Sequence, residues 1–211
     1  MSRLENFDIA DLNGKGKYQI PELPAVTEIN FRRFERLIYI KEVEDLYNVC
    51  LHTFSYDYQF NTVWTKPDMW LDRLLGVNAV IAPDFSLYRD MPKALQIFNH
   101  YRKHWVARYW HEAGIKVIPN IRWSTPDSYE FCFEGEPKNS IIAIGKTGTQ
   151  QDPIAKELFK KGFNETLKRL EPKAILMYGS MPDNIDVGGV KIIHIPHYYD
   201  VRNGKQTYEI R

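Results

Sequence analysis

The chain has only two cysteines, Cys50 and Cys132, and neither falls in a C-x-x-C pair or at metal-ligand spacing. That leaves no disulfide framework and no thiolate metal site, fits a reducing compartment, and reads both thiols as small buried hydrophobes. No apolar run approaches the ~18–20 residues of a membrane helix, and Met1-Ser2-Arg3-Leu4-Glu5-Asn6 has no apolar leader character. A cytoplasmic protein without membrane attachment is the expectation. An excess of charge is missing too. Lys+Arg 28 against Asp+Glu 27 leaves a formal net charge of +1, so bulk attraction cannot hold nucleic acid and only a local basic patch could. Internal repeats, low-complexity segments, a Ser–His–Asp order, a nucleophile elbow, a Gly-rich dinucleotide fingerprint and HExxH are all absent.

What the chain does have is aromatic weight, with Tyr 13 and Phe 11, and enough length at 211 residues for one sizeable core. We expect a single α/β domain over residues 1–211, with an extended arm over 1–30, where Gly14-Lys15-Gly16-Lys17, Pro21 and Pro24 interrupt any periodic pattern. The organising stretch is Ile81-Ala82-Pro83-Asp84-Phe85-Ser86-Leu87-Tyr88-Arg89-Asp90-Met91-Pro92. A short apolar run breaks at a proline, presents carboxylates, a guanidinium and hydroxyls, and leads into a helical pattern over 92–113 stopped by Gly114. Further strands are expected at Leu37–Ile40, Val49–Phe54, Lys116–Trp123, Ile141–Ile144, Ala174–Tyr178 and Val190–Ile195. Asp152 and Pro153 mark the N-cap and first position of a helix reaching Leu170. Asn203-Gly204 suggests a C-terminal hairpin between Tyr198-Tyr199 and Thr207–Ile210. Apolar strands alternating with helices predict an α/β fold with a largely parallel sheet of five to six βα steps. It is either a partial (β/α) barrel or an open doubly wound sheet, with the barrel-like form favoured because strand after strand ends in polar residues.

Parallel strands bring their carboxyl ends to one edge, the edge on which such folds build ligand sites. Here that edge would gather Asp57, Asp84, Arg89, Asp90, Asn120, Arg122, Trp123, Lys146, Thr147, Tyr178, Ser180, His194 and His197. Every strand must end in solvent, so part of this list needs no function to explain it. Asp84 and His194 are the candidate acid/base groups; Arg89, Arg122, Trp123, Lys146, Thr147, Tyr178 and His197 are the candidate ligand contacts. Asp90 reads either as a second carboxylate, able with Asp84 to hold Mg²⁺, or as the cap of the following helix. Gly145-Lys146-Thr147-Gly148-Thr149 reads as an ordinary loop or an anion cradle. It is not a P-loop, because Ser140 stands where the first glycine belongs. His194-Ile195-Pro196-His197 offers metal-ligand types at poor spacing, so hydrogen-bonding histidines fit better. Lys93, Arg102, Lys103, His104 and Arg108, interleaved with Tyr101, Trp105 and Trp110, suit either nucleic-acid binding or a solvated face over an aromatic core.

Pro83-Asp84-Phe85-Ser86-Leu87-Tyr88 with Met91-Pro92 resembles an uncharacterised family, the domain of unknown function 4417. Asp57-Tyr58-x-Phe60 with Val63-Trp64, Gly114–Pro119 ending in Trp123-Ser124, and Ser128-Tyr129-x-Phe131-Cys132-Phe133-x-Gly135 extend the likeness from about Tyr56 to Ser180. The resemblance implies a setting in bacteria, their phages and mobile elements, and no activity. Tyr56 stands where an acidic pair with Asp57 would be expected, which weakens a metal site there. The functional expectation is a protein that binds a phosphate-bearing small molecule, a nucleotide foremost, at the strand ends, hydrolysing it or sequestering it. The alternatives are a nucleic-acid-associated protein using the helix over 92–113, and a module aimed at a host protein.

Overall fold

Seven short strands follow one another in space in the order in which they occur in the chain. The computed structural model describes Asn6, Ile9, Ala10 and residues 12–146, 152–179 and 185–204. The strands are β1 (Arg33–Arg36), β2 (Val49–His52), β3 (Ala79–Ile81), β4 (Val117–Ile118), β5 (Ile141–Gly145), β6 (Ala174–Tyr178) and β7 (Lys191–Ile195). All pairings are parallel, in sheets ordered β1-β2-β3-β4 and β5-β6-β7. A parallel bridge between Asn120 and Ala143 joins the two, with Ala143 N–H donating to Pro119 O at 2.7 Å.

The connections carry α1 (Asp57–Phe60), α2 (Thr62–Thr65), α3 (Pro67–Leu74), α4 (Lys93–Glu112) and α5 (Pro153–Leu170), and α6 (Tyr198–Arg202) follows β7. β2, β3, β5 and β6 are buried along their whole length, which is why they read as continuous apolar runs rather than alternating ones. Phe34, Cys50, Ile81, Ile118, Ala143, Leu176 and Ile195, one from each strand, share a single apolar cluster. A sheet whose seven strands all reach one interior is curled, so the architecture is the partial (β/α) barrel. Among the described residues β7 does not pair with β1, and the barrel stays open. The seam is spanned by side chains: Tyr39 stacks on Tyr198 at 6.2 Å, and the Arg36 guanidinium lies 4.5 Å from the Tyr198 ring centre.

The outer face is covered by helices. Trp105, Val106 and Trp110 of α4 pack with Leu51, Val80 and Val117, while Phe159 and Phe163 of α5 pack with Ile142, Ile144 and Ile175. Asp152 caps α5, accepting from Ile154 N–H, with Pro153 at the first helical position as its sequence implies. Gly114, at φ +87°, takes the left-handed conformation that ends α4. The arm is irregular but docked, since Ile20 is fully buried and Val26 N–H donates to Ser140 Oγ at 2.9 Å. Cys50 and Cys132 are both free and buried. No helix among the described residues is long and apolar enough to cross a membrane.

Two local expectations need correction. Leu37–Ile40 is not a strand but lies in the 3₁₀ helix Leu37–Glu42, and the strand is the preceding Arg-Phe-Glu-Arg. An edge strand with one apolar contact, Phe34, carries too little hydrophobic signal to be seen beside an apolar run. Tyr198-Tyr199, the expected first strand of a hairpin, is helical in α6, and its second half at Thr207–Ile210 lies outside the described residues.

Candidate functional site

Asp84 sits at the centre of the strand-end edge and is 4% exposed. β3 delivers it to the rim, where its backbone N–H donates to Thr53 Oγ1 at 2.7 Å, beyond the end of β2. Asn120 Nδ2, beyond β4, donates to Asp84 Oδ1 at 2.9 Å, and Arg122 Nη1 lies 3.2 Å from Oδ2 and 3.3 Å from Oδ1. Burial pushes the Asp84 pKa up, against the pull of Arg122 and Asn120. Its partner is thus Arg122, two residues beyond Asn120, and not the nearby Arg89.

A second carboxylate shares this network. Asp57, at the start of α1, accepts from Ser86 N–H at 3.1 Å and Ser86 Oγ at 2.7 Å, and Arg102 of α4 approaches it at 3.7 Å. Asn99 Nδ2 closes the loop by donating to Ser86 O at 2.7 Å. The Pro83–Ser86 turn is therefore clamped by β2, α1, α4 and the end of β4. Both acids already accept from N–H or O–H donors of the protein, which makes Asp84 an orienting group for Arg122 and leaves Mg²⁺ without a ready pair of carboxylates here.

Arg122 borders a cleft of about 300 Å³ between the loop after β3, the end of β4, the end of β5 and the first turn of α5. Tyr88, Arg89, Asp90, Trp123, Gly145 and Asp152 also line it. Arg89 and Asp152 form an ion pair across it at 2.6 Å, and both are substantially exposed. Trp123 is set into the wall: Nε1 donates to Leu158 O at 3.2 Å and the ring meets Phe159 at 5.4 Å. This placement depends on Gly162, where a Cβ would fall 2.1 Å from Trp123 Nε1. In an open helix Gly→Ala gains about 1 kcal/mol. Here overpacking reverses the sign, and Gly162→Ala is expected to lose about 1–3 kcal/mol and to change Trp123 fluorescence, read by denaturant titration with emission spectra.

The remaining candidates divide. Lys146 follows β5, its N–H donating to Tyr178 O at 3.1 Å. The Tyr178 ring stacks on Phe54 at 4.6 Å and meets His197 at 5.4 Å, while its hydroxyl accepts from Tyr198 N–H. These residues form the β6–β7 side of the mouth, beside Arg36 and His52. Burial first, then Arg36, push the His52 pKa down to about 3, so that ring is neutral. His194 is not brought to the site. Ile193 and Ile195 face the interior cluster, so the residue between them points outward, and it is exposed. Asp90 does not cap α4, whose N-cap is Pro92 without a side-chain bond; it lies on the cleft wall instead. Thr147, Ser180 and the loop after Lys146 lie outside the described residues. The basic face of α4 also dissolves. Lys103 and His104 are buried, Lys93 pairs with Glu130, Arg108 with Glu112, and Arg102 lies over Phe85 beside Asp57.

Sequence reasoning missed Arg36, Asn99 and Lys103 as strand-end or supporting groups. Arg36 sits in a strand that looked polar, and the other two lie on a helix whose charges looked solvated. The geometry defines an α/β protein with an open parallel barrel and a carboxylate-anchored arginine at the rim of a strand-end cleft. The chain belongs to the family described as "Domain of unknown function (DUF4417)", which matches residues 13–197. A "Gene 1 protein" of Mycobacterium phage L5 is 41% identical over 152 residues, covering 72% of this chain and 66% of that protein. A "Gene 1 protein" of Mycobacterium phage D29 is 35% identical over 202 residues, covering 93% of this chain and 74% of that protein. The matched part is thus just under two thirds of the first relative's length. The chain is a phage-type protein by these likenesses, and no solved structure matches it.

Proposed function

We propose that this protein binds a phosphate-bearing small molecule, a nucleotide foremost, in the cleft at the carboxyl ends of β3, β4 and β5. The observation that carries the reading is Arg122, a guanidinium bordering the cleft and anchored from behind by the buried Asp84. A prepositioned arginine suits a planar two-point contact with a phosphate. Arg89, whose ion-pair partner among the described residues is the exposed Asp152, can exchange that partner for the ligand, and Tyr88 and Trp123 supply faces for a base. Asp84 does not line the cleft and His194 faces away, so the reading is binding, as in sequestration of a nucleotide, rather than phosphoester hydrolysis. Nucleic-acid binding by α4 is not favoured, because Lys103 and His104 are buried and Arg102 lies over Phe85, which breaks the basic face.

The test is a thermal-shift panel of nucleoside mono-, di- and triphosphates and cyclic dinucleotides, with and without Mg²⁺. At least one should stabilise the wild type, and Arg122→Ala should weaken that ligand by about tenfold or more. No stabilisation by any member, or equal binding by Arg122→Ala, refutes the reading.

A further inference from the structure

His100 and His104, four residues apart on one face of α4, meet Glu136 from the loop before β5, away from the strand-end cleft. All three are buried, and one ligand atom from each lies within 4.8 Å of the others. The hydrogen bonds assign the protons. His100 Nε2 is 3.0 Å from Glu134 O and His104 Nδ1 is 2.8 Å from Pro21 O. A backbone carbonyl only accepts, so these two nitrogens carry hydrogen, which leaves Nδ1 as the lone-pair nitrogen of a neutral His100 ring. Among the described residues His100 Nδ1 has no hydrogen-bond partner, and neither does Glu136 Oε2. His104 Nε2 is hydrogen-bonded to Glu136 Oε1 at 3.0 Å, and a cation binding there takes the place of that proton.

Two imidazole nitrogens converging on a buried carboxylate, each ring oriented by a backbone carbonyl on its far side, is the arrangement that metal-bound histidines adopt. We propose that His100 Nδ1, His104 Nε2 and Glu136 Oε2 form a binding site for a transition-metal dication of the zinc type, with water as a fourth ligand. Ligand atoms ~2.1 Å from one ion stand ~3.4 Å apart, so the three groups, now within 4.8 Å of one another, draw together on binding. Lys103 is the competing cation. Its Nζ holds Glu136 Oε1 at 2.6 Å and Asn120 O at 2.7 Å, which leaves Oε2 for the ion while its charge opposes the ion's entry. The site is independent of the nucleotide reading.

The experiment is metal uptake by the full chain, stripped with chelator, incubated with Zn²⁺ or Co²⁺ and desalted. The wild type should retain about one ion per chain, melt higher with Zn²⁺, and show the visible Co²⁺ bands of a four-coordinate site. His100→Asn and Glu136→Gln should each lower retention about tenfold or more, and His194→Ala, outside the cluster, should not. Glu136→Gln keeps an acceptor for Lys103, so its fold is the less disturbed of the two. Wild-type retention no greater than that of His100→Asn or Glu136→Gln, or loss in His194→Ala instead, overturns the proposal. If both cluster variants fail to fold, the wild-type Co²⁺ spectrum decides alone, and absence of four-coordinate bands overturns it.

Discussion

Lys103→Met should lower stability by about 3–5 kcal/mol in chelator-treated buffer, with the melting temperature falling by roughly 10 °C. Lys103 is 2% exposed, and its ammonium is the hydrogen-bond donor to two buried acceptors, Glu136 Oε1 and Asn120 O. Methionine fills the space but leaves a carboxylate in the interior without its charge partner. The loss should therefore come from the stranded Glu136 rather than from packing. A double variant, Lys103→Met with Glu136→Leu, should recover most of it, and calorimetry of the cycle measures the coupling. Acid should mimic the single variant. Burial works to raise the Glu136 pKa, but Lys103 and His104 outweigh it and hold the carboxyl below its ordinary 4.5. A depressed pKa contributes stability above the unfolded value and loses it as pH falls through the folded one. The wild type should therefore lose this contribution only below about the ordinary glutamate range, and Glu136→Gln should lack that part of the acid transition.

Asp84→Ala is expected to lose about 2 kcal/mol of stability and the nucleotide-induced thermal shift together. Alanine strands the Arg122 guanidinium and the Asn120 amide at once. The stability loss is smaller than at Lys103 for two reasons. Arg122 keeps access to water, with 13% of its side chain exposed, and the raised Asp84 pKa shows that burial already works against this carboxylate. By sign, a raised pKa means the carboxyl contributes most below its unfolded value and loses that contribution as pH rises through the folded value. Asp84→Asn, which keeps an acceptor for Asn120, should accordingly be milder in stability at neutral pH than Asp84→Ala. It should still weaken the ligand, because Arg122 loses its charged anchor. Equal ligand shifts in wild type and Asp84→Asn would show that Arg122 needs no such anchor.

Most of the framework was legible because parallel strands buried on both faces announce themselves as short apolar runs. Ile141–Ile144, Ala174–Tyr178 and the Asp152-Pro153 helix start needed no tertiary knowledge. β1 was not legible, since Arg33, Glu35 and Arg36 look like surface until the chain places Phe34 in the interior. The strand-end edge could be foreseen as a place, and the cleft brings together Arg89, Asp90, Arg122 and Trp123 from that list. Roles within it could not be foreseen. Whether Asp84 faces a ligand or an arginine, and whether His194 points in or out, depends on a two-residue period whose phase only the sheet sets. The charges of α4 misled for a related reason. Lys103 and His104 belong to a helical face that is polar in composition and interior in position.

The sequential strand order has a consequence for how the chain is made. Among the described residues every strand pairs only with the strand just before or just after it, so each unit can dock on its predecessor as synthesis proceeds, N-terminal parts first. Because Tyr39, Tyr198 and Arg36 span the seam between β1 and β7, no ladder between these two strands has to form, and that slow search for a distant partner is avoided. Nascent chains truncated after Leu170 should already protect the amides of β2 and β3 from exchange, leaving β6 and β7 to add to a preformed edge.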